Sequence, residues 1–309
     1  MWMLMFAALS SVIRNFSCSV TLHTCRKMSE IRRLPAVAGL GDKSNDVIFY
    51  GNTASPPSKN VVFFGGDVQD YTEVMLKHRD NKYYTEWNLE ATAEIMGKRF
   101  PNSHVWVVKP NEKALLTFSI YSNLVPSVDM GNPLHEEGFK SWHHLRKLLC
   151  NSAKLMKDNA ESNNCGPTTN EQGEIYSMQR PLTLVGFSKG CIVLNQLLYD
   201  LQEAKEDPET SEFVRNVRQM YWLDGGHNGG SNTWIVHKHL LQHLVGLDLE
   251  VHCHVTPYQI KDAFRDWIGK EQKKFVMELR KMGINVTNII HFEEFERSID
   301  NHFQVLTAF

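Results

Sequence analysis

The sequence predicts an α/β fold whose sheet is mainly parallel and doubly wound, with helices on both of its faces. Short apolar runs typical of buried strands alternate along the chain with amphipathic stretches typical of helices. The chain has 309 residues and a formal net charge of −2, and it shows no internal repeat. These values are ordinary for one α/β domain that carries insertions.

The most informative stretch is residues 182–198, LTLVGFSKGCIVLNQLL. Residues 182–185 predict a buried strand, and the apolar spacing of residues 191–198 predicts a helix. Between them lies a G-x-S-x-G pentapeptide centred on Ser188, the context in which this motif indicates a nucleophile elbow. The sequence therefore predicts an α/β-hydrolase-like fold with Ser188 as the nucleophile. The alternative is a strand-to-helix turn that happens to contain serine.

A nucleophilic serine needs a histidine that removes its proton and a carboxylate that orients the histidine. In α/β-hydrolases these residues follow the serine in the order acid, then histidine. His302, beyond the last predicted strand, is the expected base. Asp224, directly after the strand that follows the elbow helix, is the preferred acid, and Asp262 is the alternative acid. His227 comes too early for the usual order, and His291 is expected to be a packed or surface residue.

The oxyanion hole is expected on two backbone segments. The apolar run at residues 61–64 ends in paired glycines and Asp67, at the point where α/β-hydrolases supply one oxyanion N–H. We expect that donor to be the N–H of Gly66 or Asp67, and the second to be the N–H of Lys189. Phe64 stands where a histidine is usual, so a plain turn is the alternative. The Lys189 side chain is expected to point into water.

Residues 1–33 predict a targeting segment. The first acidic residue is Glu30, while arginine, lysine, serine and threonine are frequent, as in mitochondrial transit peptides. A secretory signal is the alternative, because residues 1–13 are apolar. However, no basic stretch precedes them and no clear cleavage site follows. The apolar run is too short to span a bilayer. We expect a mitochondrial protein of the matrix, without a transmembrane segment.

Residues 46–309 predict a single domain. Besides the strand before Ser188, apolar runs predict six strands, at residues 47–50, 61–64, 104–108, 220–223, 249–255 and 286–292. Helical spacing predicts helices at residues 88–100, 136–156, 234–245 and 271–282, and a closing helix or loop at 295–303. Asn88 is the expected N-cap of the first helix. Glycines at 225–230 indicate a sharp turn or a close approach of the backbone.

Three segments lack the periodic spacing of apolar residues that predicts a strand or a helix. Residues 111–135 are rich in asparagine, proline and serine, and we expect a lid, a substrate wall or a surface loop there. Residues 158–179 are polar and predict a flexible surface insertion. Residues 203–212 predict an acidic loop.

Composition excludes several classes of function. A nearly neutral chain lacks the basic face of a nucleic-acid-binding protein. Six cysteines without zinc-ligand spacing indicate free thiols. The histidines at 237, 239 and 243 are expected on a solvated helix face, with a metal site as the alternative. We therefore expect no metal and no cofactor.

Four blocks give the chain a specific resemblance: FFGGDVQDY (63–71), LVGFSKGC (184–191), WLDGGHNGGSNTW (222–234) and TPYQ (256–259). On these blocks it resembles a mitochondrial family named from an open reading frame on human chromosome 2 (uncharacterised protein family 0565). The resemblance covers residues 46–309 and implies similarity to α/β-hydrolases and a mitochondrial location. It carries over Ser188 as the nucleophile and implies no particular substrate.

Two functions follow from these patterns. The first is a mitochondrial serine hydrolase of esterase, thioesterase or lipase type that acts on a small acyl substrate. The second is a non-catalytic protein with the same fold that binds or regulates a mitochondrial protein partner. The fold alone does not decide between them.

Overall fold

The central sheet has eight strands in a computed structural model that describes residues 29–53, 55–162 and 174–309. Their order across the sheet is β1-β2-β4-β3-β9-β10-β11-β12. The bounds are β1 Ser29–Ala38, β2 Ser44–Asn52, β3 Lys59–Phe64, β4 Ser103–Val108, β9 Leu182–Phe187, β10 Val217–Leu223, β11 Glu250–Val255 and β12 Asn285–Ile290. Strand β2 runs antiparallel to both β1 and β4, and the pairs from β4 to β12 are parallel. The predicted fold class is confirmed.

Two short hairpins lie outside the central sheet, between β4 and the first long helix. One joins β5 (Glu112–Ala114) to β6 (Phe118–Ile120), and the other joins β7 (Ser127–Val128) to β8 (Asn132–Pro133). They occupy the segment for which the sequence predicts a lid, wall or loop.

Helices cover both faces of the sheet. Their bounds are α1 Thr72–Met75, α2 Leu89–Arg99, α3 Ser141–Ser162, α4 Cys191–Tyr199, α5 Leu201–Glu206, α6 Ser211–Arg215, α7 Lys238–Gln242, α8 Pro257–Ile260, α9 Trp267–Lys281 and α10 Ile299–Ala308. Asn88 caps α2 as predicted, because its side-chain oxygen accepts the Ala91 N–H at 2.9 Å. The closing segment is a helix, capped in the same way by Ser298.

Alternate residues of the central strands supply one apolar layer on each face. Val62 and Leu184 belong to the layer that α3, α4 and α9 cover. Phe63 and Val185 belong to the opposite layer, which α2 and α10 cover. These side chains are fully buried, as the unbroken apolar runs of the inner parallel strands predict.

The first strand corrects the predicted domain boundary. Strand β1 pairs with β2 and buries Leu34 and Val37, so the folded domain includes residues that precede the predicted start at 46. Residues 29–33 of the predicted transit peptide belong to this strand, and residues 1–28 lie outside the described residues. Arg33, counted as a basic residue of a targeting segment, forms ion pairs with Glu73 and Glu90.

Two helices begin later than predicted because side chains hold the preceding backbone out of helical form. Residues 136–140 precede α3 with positive φ at Gly138 and Lys140, and Asp200 accepts the N–H of Phe139 and Ser141. Before α7, the Glu271 carboxylate accepts the N–H groups of residues 232–234. Asp200 lies between α4 and α5, and Glu271 lies in α9, so local periodicity could not reveal either contact.

The predicted acidic loop at 203–212 is also different in the structure, where it contains parts of α5 and α6. Buried apolar residues at 201, 204, 213 and 214 dock these short helices. Part of the predicted insertion at 158–179, residues 163–173, lies outside the described residues. Cys150, Cys191 and Cys253 are free thiols, as predicted for them.

One buried histidine gives the stability of the fold a predictable dependence on pH. His144 is 1 % exposed, its Nδ1 accepts the Leu40 N–H at 3.1 Å, and its Nε2 lies 3.0 Å from Asn45 Oδ1. A second proton would have no acceptor at Nδ1. Burial lowers the pKa of His144 to about 4.

We expect His144 to contribute stability that is complete above the pKa of an unfolded histidine, near 6.5, and that is lost as the pH falls towards 4. The unfolded chain takes up a proton there and the folded chain does not, at a cost of up to about 1.4 kcal/mol per pH unit. Urea unfolding between pH 4.5 and 7.5 measures this. A His144→Gln variant should show a shallower slope, and the exposed His239→Gln control should not. Equal slopes in wild type and His144→Gln would contradict the prediction.

Candidate active site

Ser188 lies at the carboxyl end of β9, on a backbone with φ of +52°. This left-handed conformation is costly for serine and typical of a strained functional turn. The flanking glycines are required by close approaches. A Cβ at Gly190 would lie 2.1 Å from Phe64 O, and a Cβ at Gly186 would lie 2.9 Å from Cys191 Cα. The strand, the strained serine and the following helix form the elbow that the sequence predicts.

His302 and Asp224 contact each other. His302 Nδ1 lies 2.6 Å from Asp224 Oδ2, and both side chains are buried. Asp224 also accepts the Thr256 backbone N–H at 2.7 Å and the Thr256 hydroxyl at 2.6 Å. With these acceptor sites filled, the carboxylate binds the proton on His302 Nδ1, which leaves Nε2 as the basic nitrogen.

Two aromatic rings fix the plane of the imidazole. Phe187 and Tyr258 each lie 4.7 Å from the His302 ring, with interplanar angles of 29° and 30°. Ser188 and His302 line one cavity of about 250 Å³. Within the described part of the chain no hydrogen bond joins their side chains, a geometry that is common in unliganded sites and tightens when substrate binds.

The backbone donors near Ser188 differ in availability. Gly66 approaches the serine so closely that a Cβ on it would lie 2.6 Å from Ser188 Cβ. However, the Gly66 N–H donates to Gln69 Oε1 at 3.0 Å. The Asp67 N–H has no hydrogen-bond partner among the described residues. Of the two expected donors on this loop, the Asp67 N–H is the available one, and the Lys189 N–H lies at the start of the elbow helix.

The Lys189 side chain was expected to point into water, but it is buried in the structure. It is 3 % exposed, its ammonium donates to Met130 O, and it lies 3.8 Å from Asp67 Oδ1 and over the Phe118 ring. Burial lowers the pKa of Lys189, which the nearby Asp67 carboxylate partly offsets. Burial also raises the pKa of Asp67, although the positive charge of Lys189 acts to lower it. Met130 and Phe118 belong to the two short hairpins, and Asp67 lies on the loop after β3. The sequence around Lys189 does not indicate these contacts.

Part of the segment at residues 111–135 forms a wall of the cavity, one of the roles predicted for it. Thr117 and Phe118 line the cavity. Ser119 N donates to Asp67 Oδ1 at 2.7 Å, Ser119 Oγ donates to Gly66 O, and the Tyr121 hydroxyl donates to Gly65 O. These bonds hold the wall against the loop that carries the expected oxyanion donor.

The alternative acid, Asp262, is engaged elsewhere. Its Oδ2 lies 2.8 Å from Arg265 Nε and 2.6 Å from Arg297 Nη2, and its Oδ1 accepts the Phe264 N–H. Burial alone would raise the pKa of Asp262, but these donors outweigh burial and lower it. The structure therefore places Asp224, and not Asp262, against His302.

The other two histidines that were considered do not contact Asp224. His227 lines the cavity, but its Nδ1 accepts the Gly229 N–H, and burial lowers its pKa to about 4. His291 packs against His254, with ring nitrogens 2.8 Å apart.

The residues of the TPYQ block turn out to build the site. Thr256 binds Asp224, Tyr258 stacks on His302, and Gln259 lines the cavity. Their roles were not predicted from the sequence. The available signal was a threonine followed by proline at a strand end, which starts helix α8 with Thr256 as its N-cap.

No group of three or more histidine, cysteine, aspartate or glutamate side chains suited to a metal ion occurs in the described ranges. Within the same ranges, every helix is too short or too polar to cross a bilayer.

A mainly parallel sheet with a serine elbow, an acid after the next strand and a histidine after the last strand defines an α/β-hydrolase-like protein. The chain belongs to the C2orf69 family, whose family model matches residues 33–180 and 155–285. It is similar to the mitochondrial protein C2orf69 of Homo sapiens, with 42 % identity over 82 % of this chain and 75 % of that protein. The mitochondrial C2orf69 homolog of Mus musculus is also 42 % identical, over 82 % of this chain and 79 % of that protein.

Solved structures of similar fold include an arylesterase, with 13 % identity and a TM-score of 0.42 over 90 % of this chain and 82 % of that chain. Another is a hyperthermophilic esterase from Pyrobaculum calidifontis, with 11 % identity and a TM-score of 0.41 over 91 % of this chain and 83 % of that chain.

Proposed function

We propose that the protein is a serine hydrolase of esterase, thioesterase or lipase type, with Ser188, His302 and Asp224 as its catalytic triad. The observation that carries the proposal is the buried 2.6 Å contact between Asp224 and a histidine that shares one cavity with the elbow serine. A buried carboxylate at Nδ1 holds the imidazole in the tautomer whose Nε2 can accept a proton, and it stabilises the imidazolium that then forms.

In the acylation step, His302 Nε2 removes the Ser188 hydroxyl proton as Ser188 Oγ attacks the acyl carbon. The bond from that carbon to the alcohol or thiol then breaks, and the imidazolium gives its proton to the leaving oxygen or sulfur. In the second step, water loses a proton to His302 and attacks the acyl-serine. The acid leaves, and Ser188 regains its proton.

The oxyanion of each tetrahedral intermediate would bind the N–H groups of Asp67 and Lys189. Removal of one such donor typically costs about 10²- to 10³-fold in kcat. The Lys189 ammonium would add a positive charge near the same loop, and its link to Met130 would hold the cavity wall in place.

The second candidate function is a non-catalytic scaffold that binds or regulates a mitochondrial protein partner. No hydrogen bond joins the Ser188 and His302 side chains among the described residues. This favours the scaffold, since a non-catalytic elbow would not need that hydrogen bond. The closed Asp224–His302–Thr256 arrangement favours the hydrolase.

A hydrolysis assay distinguishes the hydrolase from the non-catalytic scaffold. Purified full-length protein should hydrolyse at least one member of a series of 4-nitrophenyl esters and thioesters with acyl chains of two to eight carbons. A stoichiometric amount of a fluorophosphonate should remove that activity. A rate equal to that of heat-unfolded protein for every member would favour the scaffold.

The relatives are named mitochondrial proteins. For this chain we propose a matrix location, directed by a transit peptide within residues 1–28, with secretion as the alternative. Protease protection in isolated mitochondria measures this. Digestion of the protein while the inner membrane is intact would contradict a matrix location.

A further inference from the structure

Arg265 lies in the wall of the cavity that holds Ser188, yet the triad does not use it. Its Nε and Nη2 each lie 2.8 Å from Asp262 Oδ2. Its Nη1 has no hydrogen-bond partner among the described residues. The side chain is only 18 % exposed, so this part of the guanidinium has limited access to water.

Asp262 cannot neutralise Arg265 alone, because it is shared. Arg297 Nη2 approaches the same carboxylate oxygen at 2.6 Å, while Arg297 Nε donates to Tyr258 O. This cluster of two guanidinium groups and one carboxylate carries one formal positive charge, and Arg265 is its member in the cavity wall. A partly buried cation is costly without an anion beside it, and a cavity lined by such a group attracts an anionic ligand.

The other carboxylates near the cavity have partners of their own. Asp67 is paired with Lys189 and accepts the Ser119 N–H, and Asp224 faces His302. Apolar side chains cover much of the remaining wall, including Val68, Phe118, Ile299 and Phe303. The cavity thus has a nucleophile, an apolar wall and a guanidinium whose Nη1 has no hydrogen-bond partner among the described residues.

The volume of the cavity indicates what size of acyl group it can hold. A volume of about 250 Å³ is below the range of roughly 300–1,000 Å³ that is typical of sites for drug-sized ligands. An acyl chain of a few carbons fits within this volume.

We propose, on the basis of the hydrolase function above, that Arg265 binds an anionic group at the far end of a short acyl chain. The substrate class is then the ester or thioester of a small dicarboxylic acid, with one carbonyl at Ser188 and the free carboxylate at Arg265. Asp262 and Arg297 hold the guanidinium in place before substrate arrives. Such preorganisation reduces the entropic cost of binding.

A matched pair of substrates tests this. The N-acetylcysteamine thioester of glutaric acid carries a free carboxylate, and the corresponding thioester of its monomethyl ester has nearly the same size without the charge. With uncatalysed rates subtracted, wild type should show the higher kcat/KM for the carboxylate. In Arg265→Met the preference should fall by roughly 10- to 100-fold, as expected for a lost hydrogen bond to a charged group.

Hydrolysis of the neutral thioester reports on folding and on the triad, and it should change little in Arg265→Met. Arg265→Lys keeps the charge and should recover part of the preference. Lys261→Met is the matched control, because it removes a half-exposed surface cation that pairs with Glu293, and it should keep the full preference.

Equal rates for the two thioesters in wild type, or a preference that survives in Arg265→Met, would overturn the proposal while the hydrolase function stands. Hydrolysis of neither thioester by a protein that still forms a Ser188 phosphonate adduct would also overturn this substrate class alone. Failure to form the adduct would overturn the hydrolase function as well.

Discussion

Replacing Ser188 by alanine should abolish ester hydrolysis and leave the folded protein intact. Loss of the serine removes the atom that forms the acyl intermediate, and in a triad this typically lowers kcat by roughly 10⁵- to 10⁶-fold. The fold should persist because alanine fits the same strained backbone, with φ of +52°, and Ser188 Oγ donates no hydrogen bond to the described residues. Steady-state hydrolysis and urea unfolding measure the two effects.

A buried serine remote from the cavity gives the control. Ser152 lies in α3, and its hydroxyl donates to Leu148 O. Ser152→Ala should keep the wild-type rate. Hydrolysis by folded Ser188→Ala at a rate near that of wild type would show that another group performs the reaction.

Replacing Asp224 by asparagine should lower kcat by roughly 10³- to 10⁴-fold. The amide oxygen of the new side chain can accept the Thr256 N–H, which leaves the amide NH₂ group facing His302 Nδ1. An NH₂ donor there stabilises the tautomer that carries its proton on Nε2, and that nitrogen can no longer accept the Ser188 proton. Hydrolysis of the best ester of the series, measured from pH 6 to 9, checks this.

Asp200→Asn is the matched control, because Asp200 is also buried and accepts two backbone N–H groups far from the cavity. Its hydrolytic rate should stay near that of wild type. Asp262→Asn separates the two acids considered from the sequence. If it lowered kcat more than Asp224→Asn, Asp262 would be the acid and the assignment made from the structure would be wrong.

The elbow was predictable because its determinants are adjacent in the chain. Gly186 and Gly190 flank Ser188 between a strand and a helix, and each glycine meets a close backbone approach in the structure. His302 was predictable for a different reason. Parallel strands bring their carboxyl ends to one edge, so a histidine after the last strand reaches a serine at the end of an inner one.

Contacts between distant segments were not predictable. Which of Asp224 and Asp262 contacts His302 depends on partners in other segments, since Thr256 binds Asp224 and Arg297 binds Asp262. The burial of Lys189 depends on Met130, which is 59 residues earlier in the chain. The sequence carries no local signal for these pairings.

The first strand shows a different limit. Arg32 and Arg33 give residues 29–33 the composition of a targeting segment, and the same residues fit an edge strand with charged side chains outward. Strand β1 alternates only in part, because a register shift between Leu34 and Val37 interrupts its pairing with β2. Composition therefore gave the wrong start for the domain.

The most direct test of an activated Ser188 does not depend on knowledge of the acyl group. Full-length protein is incubated with a small fluorophosphonate, digested and examined by mass spectrometry. The structure predicts one phosphonate per chain, on the peptide that contains Ser188. The Asp224→Asn variant should be labelled far more slowly. Folded wild-type protein that stays unmodified, or that is modified equally at other serines, would contradict the proposal that Ser188 is a catalytic nucleophile.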